Sequence, residues 1–333
     1  MNEPDFDVLG IGNAIVDVMA RTEEDFLAEQ RLSKGTMHLI DAERAEGLYG
    51  AMGPAIEASG GSAGNTAAGV ASLGGRAAFI GKVADDPLGH FYRHDMHAAG
   101  VHFATGALQN GAPTARSFIL ITPDGERTMN TYLGACRELS PADIDAEVVG
   151  ASAVTYLEGY LWDPREAKDA FLKAARIAHE ADRTVALTLS DAFCVDRWRD
   201  EFLDLIRRKT VDLLFANEAE LHSLYQTADL ETALSALRND AGMAVVTRSE
   251  QGCLIVTREG TQAVPALPVE RVVDTTGAGD LFAAGFLFGI ARGAPPETAA
   301  RLGALCAAEI IQHVGARPET SLKALAADAG LSL

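Results

Sequence analysis

Residues 274–287 read DTTGAGDLFAAGFL. A turn of small residues, Gly277, Ala278 and Gly279, is followed by a carboxylate at Asp280 and then by an apolar run with helical spacing. Glycines before a helix let the backbone approach a ligand closely, and the first N–H groups of a helix have no partner within it. Because the helix dipole also favours negative charge there, the stretch predicts an anion-binding turn.

Asp280 admits two interpretations. Acids are favoured in the first turn of a helix for structural reasons alone. A hydroxyl that accepts a phosphoryl group, however, must lose its proton, and a carboxylate beside the anion site can take it, a role worth about 10²–10⁴ in rate. The N–H donors of the turn would stabilise the charge on the transferring group. The chain contains neither a Walker loop nor the motifs of a protein kinase.

Composition and charge limit the class of protein. The chain has 333 residues, of which 48% are hydrophobic and 23% charged, enough for one large core or two modest ones. Its formal net charge is −19 and it contains no Lys/Arg cluster, so a nucleic-acid partner is not expected. An anionic ligand must therefore be met locally, by backbone N–H groups, a metal ion or a few arginines.

We expect a cytoplasmic protein without a membrane partner. No apolar run approaches the roughly 20 residues needed to span a bilayer, and the acidic start MNEPDFDVLG lacks a signal pattern. The four cysteines are far apart and form no CxxC pair, which is typical of reduced thiols.

Strand-like and helical stretches alternate along most of the chain. The strand-like stretches are 6–11, 77–83, 153–159, 184–190 and 211–217, followed by a hairpin-like pair at 243–249 and 252–260. The helical stretches are 62–73, 86–98, 164–181, 199–209 and 231–239, and two or three helices follow from Gly279 onward. This alternation predicts an α/β fold with a mainly parallel sheet.

Two regions interrupt the alternation, at about 14–58 and 111–135. Both contain extended polar/apolar alternation, and the turn PDGE at 123–126 predicts a hairpin. We infer a small β-rich layer built from two insertions in a single unit of residues 1–333, and its natural use is a lid over the carboxyl edge of the sheet. The alternative is a set of ordinary edge strands of the main sheet.

Three motifs in the same order resemble those of one family. Residues 274–287 resemble the second signature of the PfkB, or ribokinase-like, carbohydrate and nucleoside kinases, and GGSAGNTAAGVASLGGRAAFIGKVADDPLG at 60–89 is similar to the first. NEAE at 217–220 resembles the family's NxxE motif. The resemblance covers essentially the whole chain. It implies a ribokinase-like three-layer sandwich with a mainly parallel central sheet and a small β-rich lid, and a phosphotransferase with an alcohol acceptor.

The resemblance also implies residue roles on the phosphate side. Asp280 would be the catalytic base, and the turn of Gly277, Ala278 and Gly279 the anion hole. Asn217 and Glu220 would organise ATP and Mg²⁺, Glu220 through water, which suits the reluctance of magnesium to lose its hydration shell.

TRSEQG at 247–252 resembles the nucleotide-binding segment TxGxxG, with Ser249 at the first glycine, so Thr247 and Gly252 are the expected ATP contacts. Arg127 of GERT would reach the phosphates when the lid closes; the alternative is a salt bridge within the hairpin. The resemblance leaves open a monovalent cation such as K⁺.

GIGNAIVDV at 10–18 begins like a dinucleotide fingerprint, but Ile15 occupies the third glycine position of GxGxxG. The resemblance implies instead that Asp17 accepts hydrogen bonds from paired sugar hydroxyls, with Asn13 nearby, since a carboxylate offers two acceptor oxygens. Asp17 as a turn or cap residue is the alternative. Three further sugar contacts are expected, from Gly60, Gly61 and Asn65.

Within the family the chain is most similar to adenosine kinases, in the pieces GIGNAIVD, TLSDAF, LLFANEAEL and AAEIIQHVGA. A nucleoside needs an apolar slot for its base, and Tyr160, Phe193 and Leu133 are candidate walls, although the residue type of each alone favours ordinary core. The sequence therefore predicts an adenosine kinase that acts as a monomer or homodimer. Three alternatives remain within the family: a ribokinase, a fructokinase or an inosine/guanosine kinase. A dehydrogenase and a non-catalytic nucleoside-binding protein are alternatives of another class.

Overall fold

The computed structural model describes residues 3–333. Its strands, in chain order, are β1 (Phe6–Ile11), β2 (Ile15–Arg21), β3 (Met37–Leu39), β4 (Ile56–Ser59), β5 (Ala77–Ile80), β6 (Val101–His102), β7 (Ala115–Ile121), β8 (Arg127–Tyr132), β9 (Ser152–Glu158), β10 (Thr184–Thr188), β11 (Leu213–Asn217), β12 (Met243–Thr247), β13 (Cys253–Thr257) and β14 (Gly260–Val264). Its α-helices are α1 (Glu24–Glu29), α2 (Ala42–Ala51), α3 (Ser62–Ser72), α4 (Pro87–Ala98), α5 (Ala146–Gly150), α6 (Arg165–Glu180), α7 (Ala192–Arg207), α8 (Glu218–Tyr225), α9 (Leu230–Asp240), α10 (Ala278–Ala291), α11 (Pro296–Ile310) and α12 (Leu322–Asp328).

Nine strands form the main sheet, in the order β14-β13-β12-β11-β10-β9-β1-β5-β6. The neighbours from β12 to β6 pair in parallel, and only β13 and β14 add antiparallel pairs at one edge. The predicted α/β class with a mainly parallel sheet is confirmed.

Helices cover both faces of this sheet. Along β1, Val8 points into one buried cluster, whereas Leu9 and Ile11 point into the other, as the alternation of a strand requires. The first cluster also contains side chains of α3, α4, α10, α11 and α12, and the second contains those of α5 to α9. The result is the expected three-layer sandwich. None of the helices in residues 3–333 combines the length and the apolar character that a membrane crossing requires.

The regions that interrupt the alternation form a second sheet of five strands, ordered β3-β8-β7-β2-β4. Strands β7 and β8 pair as an antiparallel hairpin, and the N–H of Thr122 donates to the carbonyl of Glu126 at 3.0 Å across the turn. These strands are therefore not edges of the main sheet. We call this second layer the small sheet; its use as a lid stays a prediction.

Several elements differ from the sequence prediction. Helix α7 begins at Ala192, not at 199, because Asp191 caps it by accepting from the N–H of Cys194 at 2.6 Å. Non-helical angles at Trp198 (φ −124°) bend the helix there, which interrupts the apolar period that a sequence pattern detects. Strand β14 and helices α5 and α8 were also not predicted, because the periodicity of such short elements is weak. Helices α1 and α2 lie within residues 14–58, where the sequence analysis expected a β-rich layer.

The helix behind Asp280 packs unusually closely on its neighbour. A Cβ placed on Gly285 of α10 would lie 2.6 Å from both the backbone N of Gly303 and the carbonyl O of Leu302 on α11. Only a residue without a side chain fits at this crossing, so the position of α10 depends on it.

We expect Gly285→Ala to lower the free energy of unfolding by about 1–3 kcal/mol, because the added methyl group overpacks this helix crossing. Urea unfolding followed by circular dichroism measures the change. The matched control is Gly47→Ala on α2, where a Cβ would meet nothing within 4 Å. That substitution should stabilise the protein by roughly 0.4–1 kcal/mol. Equal stability of the two variants would contradict the packing argument.

Candidate active site

A cleft of about 680 Å³ lies between the carboxyl ends of the parallel strands and the small sheet. Ligands of open α/β sheets bind at this edge. The cleft brings together most of the residues singled out in the sequence, namely Asn13, Asp17, Gly61, Asn65, Leu133, Tyr160, Phe193, Asn217, Glu220, Thr247, Gly277, Gly279 and Asp280. The other four, Gly60, Ala278, Gly252 and Arg127, lie outside its lining.

The glycine turn stands at the start of α10, as predicted. Gly277 is the N-cap residue and takes φ 79°, a left-handed conformation that favours glycine. Ala278 follows as the first helical residue, and Gly279 is exposed to the cleft. The N–H of Ala278 donates to the carbonyl of Thr275 at 3.2 Å. The predicted anion contacts that remain are the N–H groups of Gly277 and Gly279, which both line the cleft at the positive end of the helix.

Asp280 does not cap its own helix. Its carboxylate accepts hydrogen bonds from Ser62 Oγ at 2.6 Å and Asn65 Nδ2 at 2.9 Å, both in the first turn of α3. Burial raises its pKa, and these two hydrogen bonds oppose that rise. This half-buried carboxylate is held from another helix beside the glycine turn, which is compatible with the role of general base. That role and the binding of an anion by the turn stay predictions.

The predicted sugar contacts cluster beside Asp280. The Asn13 amide donates to Glu158 Oε1 at 2.7 Å, and Asp17 faces the cleft from β2. Gly60 leaves room for that carboxylate, since a Cβ on it would lie 2.3 Å from Asp17 Oδ2. The pKa of Asp17 is raised to about 7, chiefly by burial and also by the nearby charge of Asp280, while Arg317 and Arg127 oppose the rise.

Sequence reasoning missed Glu158, the last residue of β9. It is 1% exposed, lines the cleft and accepts hydrogen bonds from the Asn13 amide and from the N–H of Ala63 at 2.9 Å. Burial raises its pKa to about 7. Gly12 makes room for it, because a Cβ there would lie 2.3 Å from Glu158 Oε2. The signal in the sequence was an acid directly after an apolar strand.

Arg127 joins the small sheet to the glycine turn. Its guanidinium lies 2.5 Å from Asp274 Oδ2 and donates to Thr276 Oγ1 at 3.1 Å. It therefore forms neither a hairpin salt bridge nor part of the cleft lining in this structure, and its contact with phosphate stays a prediction. Asp274 is buried and also accepts from the N–H groups of Thr276 and Gly315.

The NxxE motif forms a capping box at the start of α8. Asn217 caps the helix, and both carboxylate oxygens of Glu220 accept from Asn217, one from its N–H at 3.0 Å and one from its amide at 2.6 Å. Burial raises the pKa of Glu220 to about 7. A carboxylate has further lone pairs, so a role toward metal-bound water is compatible with this geometry and stays a prediction.

The nucleotide segment turns between β12 and β13. Thr247 lines the cleft at the end of β12. Ser249 takes φ 50°, a left-handed conformation that glycine adopts more easily. The backbone therefore keeps the conformation expected of the first glycine of TxGxxG, although a serine there is strained. Gly252 packs against β14, where a Cβ would lie 2.1 Å from the carbonyl O of Val264. Packing alone therefore requires a glycine at position 252, and the contact of Gly252 with ATP stays a prediction.

The cleft also has apolar walls. Tyr160, 38% exposed, and Phe193, 81% exposed, line it on the side of the main sheet. The small sheet contributes Leu133, which was predicted, and a group of side chains that were not: Ile15, Met37, Leu39, Ile119 and Met129. A flat apolar group could be enclosed between the two sides.

The charge of the lining bears on a metal ion. Its carboxylates are Asp17, Glu158, Asp163, Asp191, Glu220 and Asp280, and its cation is Arg197. A triphosphate would be repelled by this excess of negative charge unless a divalent cation accompanied it. Carboxylate and amide oxygens are also the ligands that hard divalent cations prefer. In the part of the chain that the structure describes, no three His, Cys, Asp or Glu side chains are placed to hold a metal ion directly. Such an ion would therefore be met through its water shell and the phosphates, as expected of Glu220.

Comparison with known proteins shows the family to which the chain belongs. The profile of the pfkB family of carbohydrate kinases matches residues 56–323. An adenosine kinase from Sinorhizobium meliloti is 58% identical, with a TM-score of 0.91 over 97% of this chain and 99% of that one. A probable sugar kinase from Rhizobium etli CFN 42 is 56% identical, with a TM-score of 0.93 over 98% of this chain and 99% of that one. An adenosine kinase from Saccharomyces cerevisiae is 27% identical, covering 92% of this chain and 94% of that protein.

The fold, the cleft and these relatives define a phosphotransferase that acts on a hydroxyl group. The chain belongs to the pfkB family of carbohydrate kinases. It is a kinase of nucleoside or sugar type, for which ATP with a divalent metal is expected. The prediction drawn from the three motifs is confirmed at this level.

The raised pKa of Asp17 has a consequence for stability. Its pKa of about 7 in the folded protein exceeds the ordinary value of 3.8, so the folded state binds more protons than the unfolded chain between these values. The carboxylate therefore costs stability as pH rises from about 4 to about 7, and the cost persists above.

We expect Asp17→Asn to be more stable than the wild type, with a gain about 1 kcal/mol larger at pH 8 than at pH 5, allowing for solvent screening of this half-buried group. Urea unfolding at the two pH values measures it. Asp5→Asn, at an exposed position, is the control and should change stability by at most about 0.5 kcal/mol. A gain that does not grow with pH would show that burial does not penalise this carboxylate.

Proposed function

We propose that the protein is an ATP- and Mg²⁺-dependent kinase of a nucleoside 5′-hydroxyl, with adenosine as the acceptor and AMP and ADP as the products. The observation that carries the proposal is the position of Asp280, held by Ser62 and Asn65 beside the glycine turn in a cleft with polar and apolar sides. The high identity to an adenosine kinase supports the choice of acceptor. The same proposal places the protein in the cytoplasm, where ATP and nucleosides are available.

The cleft binds the polar ribose and the apolar base of the acceptor through different sets of residues. Asp17 and Asn13 bind the paired ribose hydroxyls, and the backbone around Gly61 closes the sugar side. The base lies between the apolar side chains of the small sheet and the exposed ring of Phe193, where burial of its faces contributes to binding. Movement of the small sheet toward the main sheet then excludes water from the cleft.

Asp280 takes the proton of the attacking hydroxyl. Its pKa is raised by burial, which brings the carboxylate closer to the operating pH and makes it a better base than an exposed aspartate. The hydrogen bonds from Ser62 and Asn65 keep it oriented, so the hydroxyl and the transferring phosphoryl group meet in line.

The glycine turn stabilises the charge of the transferring group. The N–H groups of Gly277 and Gly279 donate to its oxygens at the positive end of α10. The N–H of Ala278 joins them by exchanging its present partner, the carbonyl of Thr275. Arg127 lies next to this turn on Asp274 and Thr276, and it reaches the phosphates by exchanging those partners. When bound, Mg²⁺ neutralises phosphate charge, and Asn217 and Glu220 would hold it through water, with Thr247 and Gly252 on the nucleotide side.

A sugar kinase is the second candidate. It is supported by the high identity to a probable sugar kinase and by the polar half of the cleft, which would serve ribose or fructose as well as a nucleoside. The apolar side chains Leu39, Met129 and Phe193, all in the cleft lining, favour a nucleoside, because a sugar alone would leave them without an apolar partner.

We expect Asp280→Asn to lower kcat by about 10²–10⁴, because the amide cannot accept the hydroxyl proton. The KM values should change little, since the shape of the site is kept. Release of ADP in the presence of adenosine measures the rate. Asp200→Asn, at an exposed position on α7, is the matched control. Activity of Asp280→Asn within about tenfold of wild type would refute the role of Asp280 as base.

The acceptor is identified by a panel of adenosine, inosine, guanosine, ribose and fructose, each with ATP and scored for ADP release. We expect adenosine to give the highest kcat/KM, because its base fills the apolar side of the cleft. A sugar turned over well above every nucleoside would replace the proposal with the second candidate.

A further inference from the structure

Residues 315–317, which follow α11, contact both the glycine turn and the start of α3. The N–H of Gly315 donates to Asp274 Oδ2 at 2.9 Å. The neighbouring Ala316 packs against the glycine turn, since a Cβ placed on Gly277 would lie 2.8 Å from the Cβ of Ala316. The next residue, Arg317, turns the other way, toward the start of α3. No motif in the sequence drew attention to it.

The guanidinium of Arg317 makes three hydrogen bonds to Ser59 and Gly64, which flank the start of α3 on the sugar side of the cleft. We call this set of hydrogen bonds the fork. Nε donates to the carbonyl of Ser59 at 2.9 Å, Nη2 to Ser59 Oγ at 2.8 Å, and Nη1 to the carbonyl of Gly64 at 2.8 Å. Gly64 stands between Ser62 and Asn65, the two residues that bind Asp280. The fork therefore fixes the turn of α3 on which the orientation of Asp280 depends.

The positive charge of Arg317 is not neutralised by a direct ion pair. Within residues 3–333, no carboxylate oxygen lies within 4.0 Å of its guanidinium. Burial lowers the pKa of Arg317, and its interactions with Tyr92, Asp95, Asp17 and Asp280 oppose that effect. A half-buried cation without a direct ion pair is costly to maintain, and the carboxylates of Asp17 and Asp280 are close enough to act on it.

We propose that Arg317 is a positioning residue for phosphoryl transfer, which holds the first turn of α3 in register with Asp280 and favours the ionised form of that carboxylate. The inference rests on the proposed role of Asp280 as base. Arg317 itself lies outside the cleft lining, so it acts through α3 and through its field and does not bind the acceptor.

The pH dependence follows from the groups around Asp280. Burial raises its pKa, and the hydrogen bonds from Ser62 and Asn65 and the charge of Arg317 lower it. The other titratable groups that interact with it are Asp17 of β2, Tyr156 and Glu158 of β9, and Tyr160. None of these carries a positive charge, so loss of the guanidinium leaves the burial effect less opposed and the pKa of Asp280 must rise.

The test replaces Arg317 by glutamine. We expect the acid limb of the pH profile of kcat/KM to move upward by about 0.5–1 pH unit, with a fall in kcat and little change in KM for the acceptor. The ¹³Cγ resonance of Asp280, assigned by its loss in Asp280→Asn, should titrate at a correspondingly higher pH. An acid limb and a resonance that both stay at their wild-type positions would overturn the electrostatic role.

Arg317→Lys separates the charge from the fork. It keeps the charge but cannot make the fixed set of hydrogen bonds, so the acid limb should stay near that of the wild type while kcat falls by about tenfold. If Arg317→Gln fails to fold, this variant still decides the question, because an unchanged kcat would refute the positioning role. Arg93→Gln is the matched control, since Arg93 also bridges two carbonyls, those of Phe103 and Thr105, away from the site.

The resonance does not depend on any acceptor, so the two proposals fail separately. A shifted resonance in a protein that phosphorylates nothing in the panel would support the role of Arg317 and refute the proposed kinase function. Phosphorylation with a resonance and a pH profile that ignore Arg317→Gln would keep the function and refute the role of Arg317.

Discussion

The candidate site depends on the junction of two helix starts, made through one carboxylate. Ser62 and Asn65 in the first turn of α3 both donate to Asp280 in the first turn of α10, across 218 and 215 positions of sequence. Each helix end offers N–H groups that favour negative charge. The two helix ends meet at the carboxyl edge of a parallel sheet. Their N–H groups there offset the electrostatic repulsion between a carboxylate and a phosphoryl group, so both can lie close together.

Close backbone packing makes this junction possible. Gly10 and Gly12 bring α3 onto β1, where a Cβ on either would meet Ala63 within 2.9 Å. The space left by Gly12 also admits the Glu158 carboxylate, which accepts a hydrogen bond from the N–H of Ala63 at the start of α3. Burying several acids in one cleft is unfavourable for folding and useful for chemistry, since it raises their pKa values toward neutrality.

Much of the fold could be predicted because its signals are local. The run from Phe6 to Ile11 is a strand with the predicted bounds, and Asp86 and Pro87 start α4 through an N-cap and a first-turn proline that a sequence shows directly. Short elements such as α8 were missed, and α7 was shortened because the bend at Trp198 interrupts its period. The sequence analysis correctly separated the hairpin of β7 and β8 from the main sheet, and the use of the small sheet as a lid stays a prediction.

The sequence by itself determined the family, the sheet class and the glycine turn with its acid, because these depend on residue type and on spacing along a few turns of chain. Only the tertiary structure decided that Asp280 is held from α3 and is not a helix cap, that Glu158 and Arg317 belong to the same neighbourhood, and that Arg127 pairs with Asp274. The reason is physical: these contacts join residues that are remote in sequence. Their partners are chosen by which strands lie side by side and how closely the helices pack, which no local pattern records.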